Sequence, residues 1–331
     1  MNQINLYEYD RYLTTQDNVL QTLDQYGVAI IPNVLNDIEC QQMANGAWNY
    51  LEHITQDMEV PIKRNNPTSW KSYKHLFPKH GMLLQQWGIG HAQFAWDIRQ
   101  NPKIVDIFAH IWNVDRNQLF TSFDGSSFGF PPEVTNFGWK HNIKLHCDQS
   151  FLHEDFKCIQ SWIGANDTQE GDATLCILEG SHKYHAEFKN QFNHLTEAEL
   201  KENWFILSDA HINWFRNEKN CPLHYIKCPK GSLVLWDSRT IHSGSEPMKG
   251  RPNQTMRIVS YVCYIPKQMS TKKNNKKRIQ AYNNLRTTSH WVDNIKMFPQ
   301  KPRTYGAELP NLVEIIPPIL TNLGMSLIGL R

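Results

Sequence analysis

From Leu119 onward the chain breaks into short β-like runs separated by Gly, Pro and Asn, and this texture narrows the architectures open to it. The expected strands are Leu119–Phe123, Ile143–Cys147, Lys157–Asn166, Ala173–Leu178, Leu223–Cys228, Ser232–Trp236 and Met256–Ile265. Upstream the periodicity is helical. A helix is expected from about Thr15 to Gln25, stopped by Gly27, and Val28-Ala29-Ile30-Ile31-Pro32 then reads as a short buried strand. Asn36-Asp37 can cap a second helix running to about His53, with Cys40, Met43, Ala47 and Leu51 on one stripe. Two more helices are expected at Gln93–Arg99 and Pro102–Trp112. Helices followed by seven or more strands suggest a mainly β fold with α. Its core would be an antiparallel double-sheet barrel, a jelly roll of the cupin-like kind, with the N-terminal helices packed on one sheet.

With 331 residues the chain could hold one large domain or two small ones, and it shows neither a repeat nor a long linker. One domain over 1–331 is therefore expected. It comprises a helical part to about 115, a core of about 116–267 with a polar insertion of about 183–220, and an extension over 268–331.

Two short segments of the barrel carry chemistry. In Lys144-Leu145-His146-Cys147-Asp148-Gln149-Ser150, an imidazole and a carboxylate stand two residues apart, so on a strand they share one face. The run Leu233-Val234-Leu235-Trp236 leads into Ile241-His242-Ser243-Gly244 and a second imidazole. Two histidines and one carboxylate on one side of a metal leave the opposite positions open, as in non-haem Fe(II) oxygenases. Fifteen histidines make a chance pairing of this kind expected, and His153-Glu154-Asp155 is another. That one sits among charged neighbours, as a solvated loop would. Taken alone, His242 reads equally well as a loop histidine at a strand end.

Composition excludes several classes. A net charge of +2 implies no polyanionic partner, so nucleic acid is not expected. The local exception, Lys272-Lys273-Asn274-Asn275-Lys276-Lys277-Arg278, reads as a solvated helix face or loop. Seven cysteines without a C-x-x-C signal neither a zinc site nor a disulfide framework, and free thiols fit a reducing compartment. The first residues lack a basic start and apolar core, and no apolar run approaches a membrane span. A cytoplasmic protein acting on a small molecule or on an anionic substrate, which the basic run would favour, is expected.

The motifs, in order and spacing, resemble those of the phytanoyl-CoA dioxygenase family of Fe(II)/2-oxoglutarate oxygenases over roughly residues 15 to 267. The resemblance is carried by Gly27-Val28-Ala29-Ile30-Ile31-Pro32-Asn33-Val34-Leu35, Ile89-Gly90-His91-Ala92, Phe123-Asp124-Gly125 and His146-Cys147-Asp148. It continues through Trp162 to Leu178-Glu179-Gly180-Ser181-His182, then Gly231-Ser232-Leu233-Val234-Leu235-Trp236 to His242, and Arg257-Ile258-Val259-Ser260-Tyr261-Val262. It implies a double-stranded β-helix in which His146, Asp148 and His242 bind Fe(II). Arg257 would receive the distal carboxylate of 2-oxoglutarate, which its planar fork suits, and Trp162 and Thr174 would line that pocket. Arg251 competes for the same role from a Pro/Gly-flanked loop.

The resemblance further implies O2 as oxidant, succinate and CO2 as products, ascorbate as a possible reductant, and hydroxylation as the default outcome. The sequence departs from the family in three places. Gly88 stands where relatives often carry a lysine that helps hold 2-oxoglutarate, Glu179 stands where proline is usual, and Ser243-Gly244-Ser245 follows His242. A catalytically inactive metal- or ligand-binding barrel and a cupin-type enzyme independent of 2-oxoglutarate therefore stay open. Asp148 argues against halogenation, which requires the carboxylate to be absent. Ahead of the barrel, Trp70, His75, Lys79, His80, Gln85, Gln86 and Trp87 suit either substrate contact or a plug between helices and barrel.

Overall fold

A computed structural model describes residues 6–77, 83–139 and 143–330, so Lys79 and His80 lie outside the described residues. The strands, in chain order, are β1 (Tyr7–Glu8), β2 (Val28–Ile31), β3 (Leu119–Thr121), β4 (Ser126–Gly129), β5 (His146–Cys147), β6 (Ile159–Gly164), β7 (Thr174–Leu178), β8 (Phe205–Ile206), β9 (Leu223–Ile226), β10 (Leu233–Asp237), β11 (His242–Ser245), β12 (Arg257–Val262) and β13 (Tyr264–Pro266). One sheet has the order β1-β9-β7-β11-β5-β8, the other β2-β10-β6-β12-β4, and β13 pairs with β3. β1 pairs parallel to β9, whereas β10, β6, β12, β11 and β7 pair antiparallel with their neighbours. The fold is a double-stranded β-helix.

Strand alternation sorts the side chains into an inside and two outsides. Inside lie Val28, Ile30, Trp162, Leu175, Ile177, Ile226, Val234, Trp236 and Val259, which form one cluster between the sheets. The outer face of the five-stranded sheet, through Ile159, Ile163, Leu233, Leu235, Ile258 and Val262, packs against the N-terminal helices. Helix Asp37–Ile54 starts with the anticipated Asn36 cap, a reciprocal pair with Glu39. Its stripe of Cys40, Met43, Ala47 and Leu51 is buried, as periodicity required. The outer face of the six-stranded sheet, through Cys147, Cys176, Leu178 and Tyr225, is covered by Phe188, Leu200, Trp214 and Phe215 of the insertion. Both sheets are thus closed on the outside, and the polar inward positions are left for the barrel interior.

Differences from expectation have local causes. The first helix runs Val19–Tyr26, shorter than its periodicity because Thr15–Asn18 turn first. The run expected as one strand over Met256–Ile265 divides at Cys263, whose backbone bonds to Ser122, and the chain switches there from β6 to β3. The basic run Lys272–Arg278 is not wholly solvated: it opens helix Lys272–Asn283, in which Asn274 and Arg278 are buried. Arg278 has no solvent exposure, lies 4.5 Å over the Phe120 ring and 5.0 Å over Phe123, and donates to Leu327 O. Burial lowers its pKa to about 9. This cation pins the extension to β3 and to Phe123 just after it.

Arg278→Ala should therefore cost about 3 kcal/mol, the range for emptying a large buried site. Lys273→Ala, at an exposed position of the same helix, should leave the urea midpoint unchanged. Equal effects of the two changes on urea denaturation would contradict the buried role of Arg278.

Candidate metal centre

The register of the six-stranded sheet sets the site. His146 of β5 pairs directly with His242 of β11, and His242 also pairs with Ile177 of β7. Because Ile177 belongs to the interior cluster, both imidazoles face inward. Their ring centroids are 4.5 Å apart. Asp148 follows two residues after His146, with Oδ1 3.8 Å from His146 Nε2 and Oδ2 3.3 Å from His242 Nε2. One donor atom from each of the three lies within 4.8 Å of the others.

The donor chemistry fits a divalent metal. His146 Nδ1 lies 2.7 Å from Lys144 O, and His242 Nδ1 lies 2.9 Å from Thr240 O. A carbonyl can only accept, so each Nδ1 carries the proton and each Nε2 presents its lone pair to the centre. Burial, followed by the His242 charge, pushes the His146 pKa down to about 4. For Asp148 burial acts upward, yet His290, His242 and His146 outweigh it and hold the carboxyl well below its usual range. Two imidazoles that turn Nε2 to the centre and one carboxylate result, which suits Fe(II).

Neighbours fix this arrangement. Gln160, inward on β6, donates through Nε2 to Asp148 Oδ2 at 3.0 Å. Ser181 accepts the backbone N–H of Ile241 at 2.8 Å, which clamps the segment just before His242. This gives the Gly180-Ser181-His182 motif a structural reason. Glu179, replacing the usual proline, accepts from Arg11 and Tyr12 at 2.7 Å each and so ties the N-terminal segment to the barrel.

Arg257 points inward on β12, two residues before Val259. Its guanidinium lies 4.9 Å over the Trp162 ring, and Nη1 donates to Ala173 O at 2.9 Å. Its Nε and the indole Nε1 of Trp162 are buried without a hydrogen-bond partner. Arg251 is committed elsewhere: it donates to Glu133 at 2.9 Å and to Asp172 at 2.7 Å. The fork left open toward the interior is that of Arg257. Thr174 is not brought to it, since Thr174 shares the outward parity of Cys176 and its hydroxyl donates to Ile226 O at 2.5 Å. Leu175 and Ile177 take the inward positions of that strand.

Other segments named from the sequence fall outside the centre. His153, Glu154 and Asp155 are exposed loop residues. Trp70 packs on Trp48 and Phe130, and the Trp87 indole donates to Leu76 O, so both plug the helix–barrel interface. Gly88 adopts φ 68, and a Cβ there would lie 2.7 Å from Ile315 Cδ1. A lysine at this position would meet both a left-handed backbone and the C-terminal extension.

Sequence reasoning missed Gln160 and His290. Gln160 carries a weak signal, an inward parity shared with Trp162. His290 carries none: it arrives on the extension, held by Thr288 N–H to Phe123 O at 2.8 Å, with its Nε2 buried and unpartnered. It acts with His242 and His146 to hold the Asp148 carboxyl down, and it acts in the same direction on Asp124.

Known proteins bear on this geometry. The family model for phytanoyl-CoA dioxygenase (PhyH) matches residues 23–250, and the chain belongs to that family. The Ava biosynthesis cluster protein O of Aspergillus versicolor is 25% identical over 253 residues, covering 75% of this chain and 77% of that protein. The hypothetical protein JW0805 of Escherichia coli shares the fold with a TM-score of 0.59 at 13% identity, covering 96% of this chain and 85% of the other. The GlcNAc Inducible Gene 2 protein of Candida albicans aligns with a TM-score of 0.53 at 15% identity, over 83% of this chain and 68% of its own. The family match ends before Arg257 and the extension. Among the described residues no helix is long and apolar enough to cross a membrane.

Two measurements test the centre. Gln160→Leu should weaken Co(II) binding by about 10- to 100-fold, the usual effect of losing a partner that orients a ligand, whereas His146→Ala should abolish it. Unchanged affinity in Gln160→Leu would contradict the orienting role. Burial also lowers the pKa of His91 to about 3 and of His185 to about 4. Against an ordinary value of about 6.5, the unfolded chain takes up more protons at these residues and at His146 as pH falls through 6.5 toward 4. The metal-free protein should accordingly show a falling Tm across that window. A flat Tm from pH 7 to 4.5 would contradict neutral burial.

Proposed function

We propose that the chain is an Fe(II)- and 2-oxoglutarate-dependent dioxygenase that hydroxylates a small molecule, releasing succinate and CO2, and that the whole chain acts as a single oxygenase domain. The observation that supports this best is the convergence of two Nε2 atoms and the Asp148 carboxylate in a barrel that also carries the inward Arg257, whose Nε is buried without a hydrogen-bond partner. His146, Asp148 and His242 would hold the metal from one side and leave its remaining positions open. Fe(II), when bound, supplies the activation of O2 and the oxidising step.

Arg257 would donate its fork to the far carboxylate of 2-oxoglutarate, and the Trp162 ring beneath keeps that fork in plane. Gln160 keeps Asp148 turned toward the two histidines. The apolar residues Ile177, Val234 and Trp236 exclude water from the barrel interior. One observation favours a second reading, a metal-binding barrel without turnover: Ile315 occupies the place where relatives reach 2-oxoglutarate with a lysine.

The test is succinate formation from 2-oxoglutarate with Fe(II), ascorbate and O2. Slow turnover is expected in the wild type and none in His146→Ala. Arg257→Ala should raise KM for 2-oxoglutarate by about tenfold or more, the scale of a lost charge-assisted hydrogen bond. Arg251→Ala should leave that KM unchanged and instead destabilise the fold by about 3–5 kcal/mol, because Glu133 and Asp172 lose their buried partner. Full activity in Arg257→Ala would overturn the 2-oxoglutarate assignment, and absence of turnover with Fe(II) bound would favour the second reading.

A further inference from the structure

The insertion between β7 and β9 contributes one aromatic side chain to the metal side of the barrel. The pair His146↔Ile206 places Ile206 of β8 on the inward face with His146, whereas the neighbouring pair Cys147↔Phe205 turns Phe205 outward. Phe205 is anchored there by ring contacts with Phe151 and Phe188. Just ahead of β8, Trp204 also lies beside His146. Its ring meets the His146 ring edge-on, with centroids 6.0 Å apart.

Three features set Trp204 apart from a packing residue. It is 55% exposed, although it stands beside a deeply set histidine, and Ile206 next to it is 43% exposed. Its backbone has φ +75, a conformation costly for a bulky side chain. Trp87 has φ +59 as well, but there the indole N–H, the carbonyl and the backbone N–H are all bonded within the fold, which offsets the cost. At Trp204 no such bonds are present, and the preceding Asn203 holds the loop by accepting from Ser150 N–H. The backbone is thus strained to present an indole face to solvent at the edge of the metal centre, with an aliphatic side chain extending the same wall.

Resting on the oxygenase reading above, we propose that Trp204 is a specificity-determining residue that stacks on a planar, unsaturated ring of the substrate and so holds its C–H bonds over the His146 side of the metal. A flat ring matches the exposed indole face, and Ile206 covers the ring edge. The Trp204 indole and the Ile206 side chain carry no charge, so the contact they offer selects for an uncharged ring.

The probe is 2-naphthol, a planar ring system with one hydroxyl, titrated calorimetrically into the Co(II)-loaded full chain. Decahydro-2-naphthol, of similar size but without π electrons, serves as control. Saturable binding of 2-naphthol is expected, several-fold tighter than the control. Trp204→Phe should stay within a few-fold of wild type, while Trp204→Leu and Trp204→Gly should lose about tenfold or more, the scale of one stacking interaction. Trp204→Gly supplies the readout that a structural role would not give: glycine relaxes at φ +75, so Tm should hold or rise while affinity falls.

Absence of saturable 2-naphthol binding in the wild type, equal affinity in Trp204→Leu, or a Tm drop in Trp204→Gly with affinity retained would each overturn the assignment. Neither ligand is turned over in this titration, so a failure of 2-oxoglutarate consumption is read separately and bears only on the oxygenase reading.

Discussion

The opposition of His146 and His242 across the β5–β11 pair is the constraint on which the rest of the site depends. A strand pair has a side-chain period of two, so a slip of one residue would turn an imidazole out of the barrel and destroy the centre. The register is held from several directions. Cys147 and Ser243 face outward, with the Cys176 thiol donating to Ser243 O, and Ile241 is clamped by Ser181. Cys147 itself is buried under the insertion. The strand that carries His146 and leads into Asp148 is only two residues long, and its outward side chain is locked by what packs over it.

Both outer faces are covered by added elements, and these elements also complete the site. The N-terminal helices close the five-stranded sheet and thereby fix β6, which brings Gln160 to Asp148 and Trp162 to Arg257. The insertion closes the six-stranded sheet and contributes Trp204. The C-terminal extension, pinned by the buried Arg278, brings His290 close enough to act on Asp148 and fills the space at Gly88 with Ile315. The barrel supplies the donors, and its additions decide what surrounds them.

The candidate His146-Asp148-His242 cluster and the barrel were legible in the sequence because each rests on a short-range rule. H-x-D on a strand shares a face, and the continuous apolar run Leu233–Trp236 marks a strand between two packed layers. Arg257 was separable from Arg251 only as strand against loop, and the ion pairs of Arg251 with Glu133 and Asp172 supply the physical difference. Thr174 was misplaced because parity on β7 depends on which residue pairs with His242, a long-range fact. β4, β8 and β11 went unread, since Ser126–Gly129, Phe205–Ile206 and His242–Ser245 are too short or too polar to announce a strand. Arg278 looked solvated because a charge run hides the members that turn inward, here Asn274 and Arg278. His290 and Trp204 reach the centre through tertiary packing alone, which no local pattern encodes.

The most direct measurement is the anaerobic absorption spectrum of the Fe(II)-loaded chain before and after addition of 2-oxoglutarate. A new metal-to-ligand band is expected in the wild type and none in His242→Ala, since chelation requires a metal held by both strands. Retention of the band in His242→Ala, or its absence from wild type with Fe(II) bound, would contradict the central claim that the β5–β11 register builds a 2-oxoglutarate-binding iron centre.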